Sequence, residues 1–347
     1  MIVTVTLNPA LHVQYEAARV QLGAANSVSR VRYRTGGRGL AVARLLHTFG
    51  HEVVAAGLAG GSAGELIRNE LAKAGVATQF TRIGAESRRV VDVASSDGQT
   101  TSFSEPAPYI TTEELGRLAA DYRSLLDGAT AVVLCGSLPD GLPAETYGSL
   151  VSYAAGAGVP VVLDAGGSAL RHGASRRPAL VIPELDGGHS GQGSDVPGEG
   201  PESDGPESHG PESHGPESHG ARVGEAGLEA AAGSSVVLLA GRGVRALTMA
   251  GEWRASLGPA ADRSGPASPG GSAGSAMDPA RAGPGQSGAF RDALVAGLVP
   301  GIALAWSWPD MLRHAVALAA SAAPGGAADL TAYEALLTEV EISGPGA

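Results

Sequence analysis

The sequence predicts an α/β fold in which helices cover both faces of a mostly parallel β-sheet. Three observations carry that expectation. Short apolar runs at residues 2–7, 131–136, 160–164 and 179–182 read as strands buried on both faces. Between them lie helix-length stretches with amphipathic periodicity, at 112–126 and 143–157, which suit the crossovers that parallel strands require. The chain has 347 residues, 43% of them apolar, enough to bury a substantial core.

Taken in order, residues 2–7 alternate as a strand that ends at Asn8-Pro9-Ala10-Leu11-His12. Residues 27–34 set Val28, Arg30 and Arg32 against Ser29, Val31 and Tyr33, the pattern of a half-exposed strand. Gly36-Gly37-Arg38-Gly39 leads into a helix that Gly50 stops. A strand at 52–58, a helix at 62–74 and a strand at 78–83 follow. Extended runs at 89–94 and 100–105 flank the turn Ser96-Asp97-Gly98-Gln99. After the regular helix–strand stretch, residues 187–222 break the pattern with three successive Pro-Glu-Ser-His-Gly repeats and no apolar periodicity. Such a tract cannot bury enough surface to offset its ordering entropy, and disorder is expected there. His209, His214 and His219 recur within it, but a flexible tract lacks the fixed geometry a metal demands. Strands at 235–240, 245–249 and 252–256, a Gly/Pro/Ser-rich loop at 258–287, and helices at 290–299, 308–323 and 330–340 complete the chain.

Composition excludes several partners. The formal charge of −11 argues against nucleic acid, although eight acidic residues fall between Asp186 and Gly220, where there is no Lys or Arg. No apolar run reaches the ~18 residues of a membrane span. The N-terminus reads as a strand without a basic leader, and the single cysteine, Cys135, fits a reducing cytoplasm. Cys135 ends an apolar run and is expected to be a buried small residue. Lys73, the one lysine, sits in a helical stretch and is a poor candidate for chemistry.

In open parallel sheets ligands gather at the carboxyl ends of the strands. The polar residues there are Asn8, Gly136-Ser137, Asp164-Ala165-Gly166-Gly167, Pro183-Glu184 and Gly241-Arg242-Gly243. A second focus is 283–298, a glycine-rich turn entering an apolar helix with Asp292 at the junction. Helix N-termini attract phosphate through unpaired N–H groups. Two roles suit Asp292, a helix cap or a base for a hydroxyl attacking phosphate.

These motifs, in this order, resemble the ribokinase-like carbohydrate kinases of the phosphofructokinase B family, in particular the 1-phosphofructokinase and tagatose-6-phosphate kinase branch. Asn8-Pro9-Ala10-Leu11-His12 is similar to that branch's Asn-Pro-Ala-Leu-Asp opening, and Gly36-Gly37-Arg38-Gly39 to its Gly-Gly-Lys-Gly signature. Phe103–Pro108 and Gly136-Ser137-Leu138-Pro139 resemble its Asn-Glu-Pro-Gly-Pro and Gly-Ser-Leu-Pro turns. Asp164–Gly167, Ile182–Glu184 and Ala240–Gly243 fall where relatives carry Asp-Thr/Ala-Ser/Asp-Gly, Lys-Pro-Asn and Gly-Ala-Asp/Glu-Gly.

The resemblance implies a three-layer α/β/α domain with a small β lid built from about 27–35 and 89–105. It implies ATP and Mg²⁺ as cofactors, a sugar or sugar-phosphate substrate, and a possible homodimer through the lid. Asn8, His12, Gly36, Gly37, Arg38 and Ser137 would bind substrate, with Arg88 or Arg89 near a substrate phosphate. Glu184, Gly241 and Gly243 would lie at the nucleotide. Asp292 would be the base, with Gly288 and Ala289 as a residual anion hole and Arg291 partly replacing lost donors. The departures cluster at this site. His12 stands for Asp, Ala41 and Glu184 each stand for Asn, and Phe290 and Arg291 crowd a turn that relatives build from glycine. An alternative is therefore a catalytically weakened homologue that binds sugar phosphate or nucleotide in a regulatory or partner-binding role.

Overall fold

The computed structural model describes residues 1–184, 233–240, 243–258, 284–323 and 327–346. The tract at 187–222 and most of the loop expected at 258–287 lie outside the described residues.

The chain opens with β1 (Ile2–Thr6), β2 (Ala10–Ala17) and β3 (Val28–Gly36), then α1 (Arg38–Thr48), β4 (Val53–Gly60), α2 (Gly61–Lys73) and β5 (Ala77–Ile83). Next come β6 (Arg89–Ser95), β7 (Thr100–Ser104), α3 (Thr112–Leu126), β8 (Ala131–Cys135), α4 (Thr146–Gly156), β9 (Val161–Ala165), α5 (Gly167–Ala174) and β10 (Leu180–Pro183). The remainder is β11 (Ser235–Ala240), β12 (Gly243–Thr248), β13 (Gly251–Leu257), α6 (Pro284–Leu304), α7 (Trp308–Ser321), the short pair β14 (Ala322–Ala323) and β15 (Ala327–Ala328), α8 (Leu330–Leu336) and β16 (Val340–Ser343).

Ten strands form the central sheet in the order β16-β13-β12-β11-β10-β9-β8-β1-β4-β5. From β11 to β5 neighbouring strands are parallel, and β12, β13 and β16 extend one edge in antiparallel fashion. The strands β1, β8 and β9 are buried along their whole length, as their unbroken apolar runs require. One face packs on α1, α2, α6 and α7 through Leu45, Ile67, Leu294 and Leu312; the other packs on α3, α4 and α5 through Tyr122, Tyr147 and Leu170. Burying a leucine such as Leu45 stabilises by roughly 1.5–3 kcal/mol relative to leaving it exposed. The start of α3 is a reciprocal cap, with Thr111 Oγ1 accepting from the Glu114 N–H and Glu114 Oε2 accepting from the Thr111 N–H.

A separate four-stranded sheet, β3-β2-β6-β7, forms the lid. Strands β3, β6 and β7 fall within the segments expected at about 27–35 and 89–105, and the sheet adds a strand, β2, that sequence reading passed over. Leu11, Val13, Tyr15 and Ala17 alternate there with His12, Gln14 and Glu16, and β2 pairs with both β3 and β6. The helix expected at 330–340 is corrected: it stops at Leu336, and Val340–Ser343 pairs with β13 as an edge strand. The connection before β10, for which no element was expected, contains α5. The helix expected at 290–299 begins at Pro284, a residue suited to a first helical position because its missing N–H is not needed there.

Candidate active site

The site is built where β1, β8, β9 and β10 end and the lid strands rise. Gly37 joins lid strand β3 to α1 with φ 123°, a backbone conformation that glycine adopts without strain. A Cβ there would also stand 2.9 Å from Thr6 Cγ2. This turn delivers Arg38, the first residue of α1, to the carboxyl ends of the strands.

Arg38 meets three carboxylates there. One Nη donates to Asp164 Oδ2, the other stands 3.5 Å from Glu184 Oε2, and Nε lies 3.6 Å from Asp292 Oδ1. Asp164, on β9, is fully buried. Its other oxygen accepts from Arg291 Nε at 3.0 Å and Nη2 at 2.6 Å, and the same Nη2 donates to the Ile182 carbonyl at 2.8 Å. A buried carboxylate thus holds two guanidinium groups arriving from different helices, the pairing that burial of charge demands.

Asp292 follows Arg291 on α6. Its side chain is 13% exposed, and its buried Oδ1 has no hydrogen-bond partner. Burial raises its pKa from 3.8 to about 7; Arg38 pulls it down, Asp164 pushes it up, and Arg291 and Arg44 pull it down. A carboxyl poised near neutrality, with an oxygen that no hydrogen bond occupies, has the properties of a general base. The reading of Asp292 as a helix cap is corrected, because α6 starts at Pro284 and Asp292 lies well inside the helix. Gly288 and Ala289 are also helical, past the first four residues whose N–H groups a helix leaves free. Arg291 does not stand in for the lost donors either: its guanidinium is spent on Asp164 and Ile182.

On the lid side, Asn8 Nδ2 donates to Ser137 Oγ at 3.2 Å, while Asn8 Oδ1 is buried without a partner. His12 Nδ1 lies 3.1 Å from Asp92 Oδ2, and Ser102 donates to the other oxygen of Asp92 at 2.5 Å. The His12 ring sits so close over Gly36 that a Cβ on Gly36 would fall 2.4 Å from Nε2. The two lid arginines differ. Arg89 is tied to Glu86 at 2.9 Å and to Glu105 at 3.5 Å. Arg88 Nη1 donates to Ser104 Oγ at 3.3 Å, Arg88 Nε is buried without a hydrogen-bond partner, and burial holds Arg88 below the ordinary arginine pKa. Arg44 on α1 is in a similar position: Nη1 donates to Thr35 Oγ1 at 3.0 Å, Nε has no partner, and burial together with Arg34 lowers its pKa.

Glu184 follows β10 and closes against Gly166. Gly243 starts β12 and lines a groove with Arg245, Arg254 and Glu341 at the antiparallel edge of the sheet. Gly241 lies outside the described residues. Cys135 is buried as expected, and burial pushes its thiol well above the usual range. Asp164 was expected only as a polar residue at a strand end, without an assigned role, and Asp92 and Arg44 were not among the expected site residues. The position of Asp164 at a strand end was a visible signal; Asp92 and Arg44 had none, since an exposed-looking lid acid and a helical arginine are ordinary in sequence.

A three-layer α/β/α domain with a mostly parallel central sheet and a small second sheet is the architecture of the ribokinase-like sugar kinases. The model of the pfkB family carbohydrate kinases matches residues 10–186, and this chain belongs to that family. Among solved structures it is similar to a putative phosphofructokinase from Staphylococcus aureus, with 23% identity, a TM-score of 0.70, and 99% of this chain and 98% of that one covered. A possible 1-phosphofructokinase from Thermotoga maritima matches with 22% identity and a TM-score of 0.72 over 99% and 98% of the two chains. Phosphofructokinase-2 from Escherichia coli in complex with potassium matches with 20% identity and a TM-score of 0.71 over 97% and 98%.

Proposed function

We propose that this chain transfers a phosphoryl group from ATP to a hydroxyl of a sugar or sugar phosphate, with Asp292 as the general base. The observation that carries this reading is the Asp292 carboxyl, buried at the strand ends beside Arg38, with an oxygen that makes no hydrogen bond and a pKa raised to about 7. Ionised, it takes the proton of the attacking hydroxyl; protonated, it has nothing to offer. Phosphoryl transfer asks the protein mainly for position and charge. Asn8, Ser137 and His12 line the face where hydroxyls would be held, and Gly36 and Gly37 keep backbone close to them.

Arg44 and Arg88 make no ion pair among the described residues, so an anionic acceptor would meet unspent cations there; this favours a sugar phosphate over a neutral sugar. Escherichia coli phosphofructokinase-2 has been crystallised with fructose-6-phosphate, and a 1-phosphofructokinase-like hexose phosphate specificity is the corresponding proposal for this chain. Glu184, Gly241 and Gly243 are assigned to the nucleotide. Mg²⁺ fits as an ion brought by the triphosphate: among the described residues no group of three or more acidic, His or Cys side chains is arranged for it, and Glu184, at 39% exposed, is the most accessible carboxylate of the cluster. When bound it would neutralise phosphoryl oxygens. A cytoplasmic location goes with this reading; among the described residues no helix is long and apolar enough to cross a membrane. The exposed Val31, Tyr33 and Phe103 of the lid support a homodimer through that sheet, and a monomeric mass by light scattering would remove that part of the proposal.

The test is ADP release with Mg²⁺, ATP and a panel of sugars and sugar phosphates. Asp292→Asn is expected to lower kcat by roughly 10²–10⁴-fold, and wild-type turnover no faster than the variant's would sink the reading. A second reading, the weakened homologue, is favoured by the helical state of Gly288 and Ala289, which leaves no open anion-binding turn at those residues. Calorimetry showing nucleotide or sugar-phosphate binding without turnover would select it.

A further inference from the structure

Arg291 stands just before Asp292, where the resemblance implies glycine, yet it is 9% exposed and makes three hydrogen bonds to the sheet. Two of them go to Asp164 on β9 and one to the Ile182 carbonyl on β10, so a single guanidinium ties α6 to two neighbouring strands. The next residue on that helix is Asp292. Because Arg291 satisfies one oxygen of Asp164 and Arg38 the other, Arg38 Nε remains turned toward Asp292. The buried groups form a balanced set of two guanidinium groups, from Arg38 and Arg291, and two acids, Asp164 and Asp292, with Glu184 at the rim.

We propose that Arg291 is a positioning residue for the base, clamping α6 to β9 and β10 through Asp164 and Ile182 so that Asp292 keeps its place and its share of Arg38. This rests on the reading of Asp292 as general base. Removing the Arg291 cation would leave Arg38 alone among Asp164, Asp292 and Glu184, and Asp292 would take up a proton to relieve the excess negative charge. Of the other groups around Asp292, Arg44 adds a cation whose pull is weaker than that of Arg291. From α1 come Arg38 and Arg44, from β9 Asp164, and from β8 the buried thiol of Cys135. On its other side α6 meets the apolar Met311 and Ala315 of α7.

The experiment is a pair of single variants and their combination, Arg291→Met, Asp164→Asn and both together, each assayed for kcat/KM from pH 5 to pH 9. Arg291→Met is expected to move the acid limb upward by about one pH unit, a loss of roughly fivefold at pH 7 that recovers by pH 9. Asp164→Asn should move it downward, and the double variant, which buries no unpaired charge in place of the clamp, should return it close to wild type. A carboxyl-carbon NMR titration of Asp292, assigned by its loss in Asp292→Asn, reads the same three shifts without turnover. If the wild type is inactive while the NMR shifts appear, the kinase reading fails and the clamp stands. If Arg291→Met lowers activity by one factor at every pH and leaves the Asp292 titration unmoved, Arg291 is only structural and the proposal is overturned. Should Arg291→Met fail to fold, the comparison of Asp164→Asn with the double variant decides: equal acid limbs overturn the clamp, and a higher limb in the double variant supports it.

Discussion

Arginine meets carboxylate in two parts of this molecule under different conditions. At the strand ends Asp164 is fully buried and shared by Arg38 and Arg291, with Asp292 close by. At the lid Arg89 joins Glu86 and Glu105, with every partner between 34% and 46% exposed. The lid network sits in water, which screens each charge and supplies hydrogen bonds when a partner leaves. The buried cluster has no such reserve, so each charge there depends on the others. Burial, tempered by those neighbouring charges, raises Asp292 to near neutrality, whereas Glu86, which accepts from the backbone N–H groups of Ala63 and Ser62, is held low. Burial therefore converts an ordinary pairing into a device that sets a proton affinity.

The largest effect expected from this contrast is on stability. Asp164→Ala leaves two buried guanidinium groups without their shared partner and should cost about 3–5 kcal/mol in urea denaturation. A loss below about 1 kcal/mol would mean that water already screens the cluster, and the contrast with the lid would collapse.

The pH dependence is next in size. Asp292 has a folded pKa of about 7, above its ordinary 3.8, so the folded state holds that proton more tightly than the unfolded chain. The stability this contributes is complete below about pH 4 and is lost as the pH rises through about 7, a change on the order of a few kcal/mol. Asp292→Asn should remove that slope from the unfolding free energy measured between pH 4 and 8. Parallel slopes in wild type and variant would show that Asp292 titrates as an exposed acid does.

The smallest effect belongs to the lid. Arg89→Ala should destabilise by less than about 1 kcal/mol, and the difference should shrink further in high salt. A larger, salt-independent loss would place the lid network in the same class as the buried one.

Much of the fold was legible along the chain. Strands β1, β8 and β9 announced themselves as apolar runs, and the helices between them by periodicity. Asp292 was legible as the acid leading an apolar stretch after glycines. The misses have physical reasons. Strand β2 alternates Leu11, Val13 and Tyr15 in plain view, but it lies between β3, the next element, and β6, which is distant in sequence, and only that pairing makes it a strand. Val340–Ser343 continues a helical-looking stretch until β13 offers it an edge. The start of α6 at Pro284 moved Gly288 and Ala289 from a turn into a helix, which local glycine content had argued against.

Periodicity, turn residues and motif order are properties of neighbours along the chain, and they were enough for the α/β class, the family resemblance and the candidate base. The site's electrostatics are of another kind. Arg38 and Asp164 are 126 residues apart, and Arg291 and Asp164 are 127 apart. Whether those charges meet depends on β9 lying next to β8 and β10, and on α1 and α6 covering the same face of the sheet. No local propensity encodes that meeting, and the affinity of Asp292 for its proton follows from it.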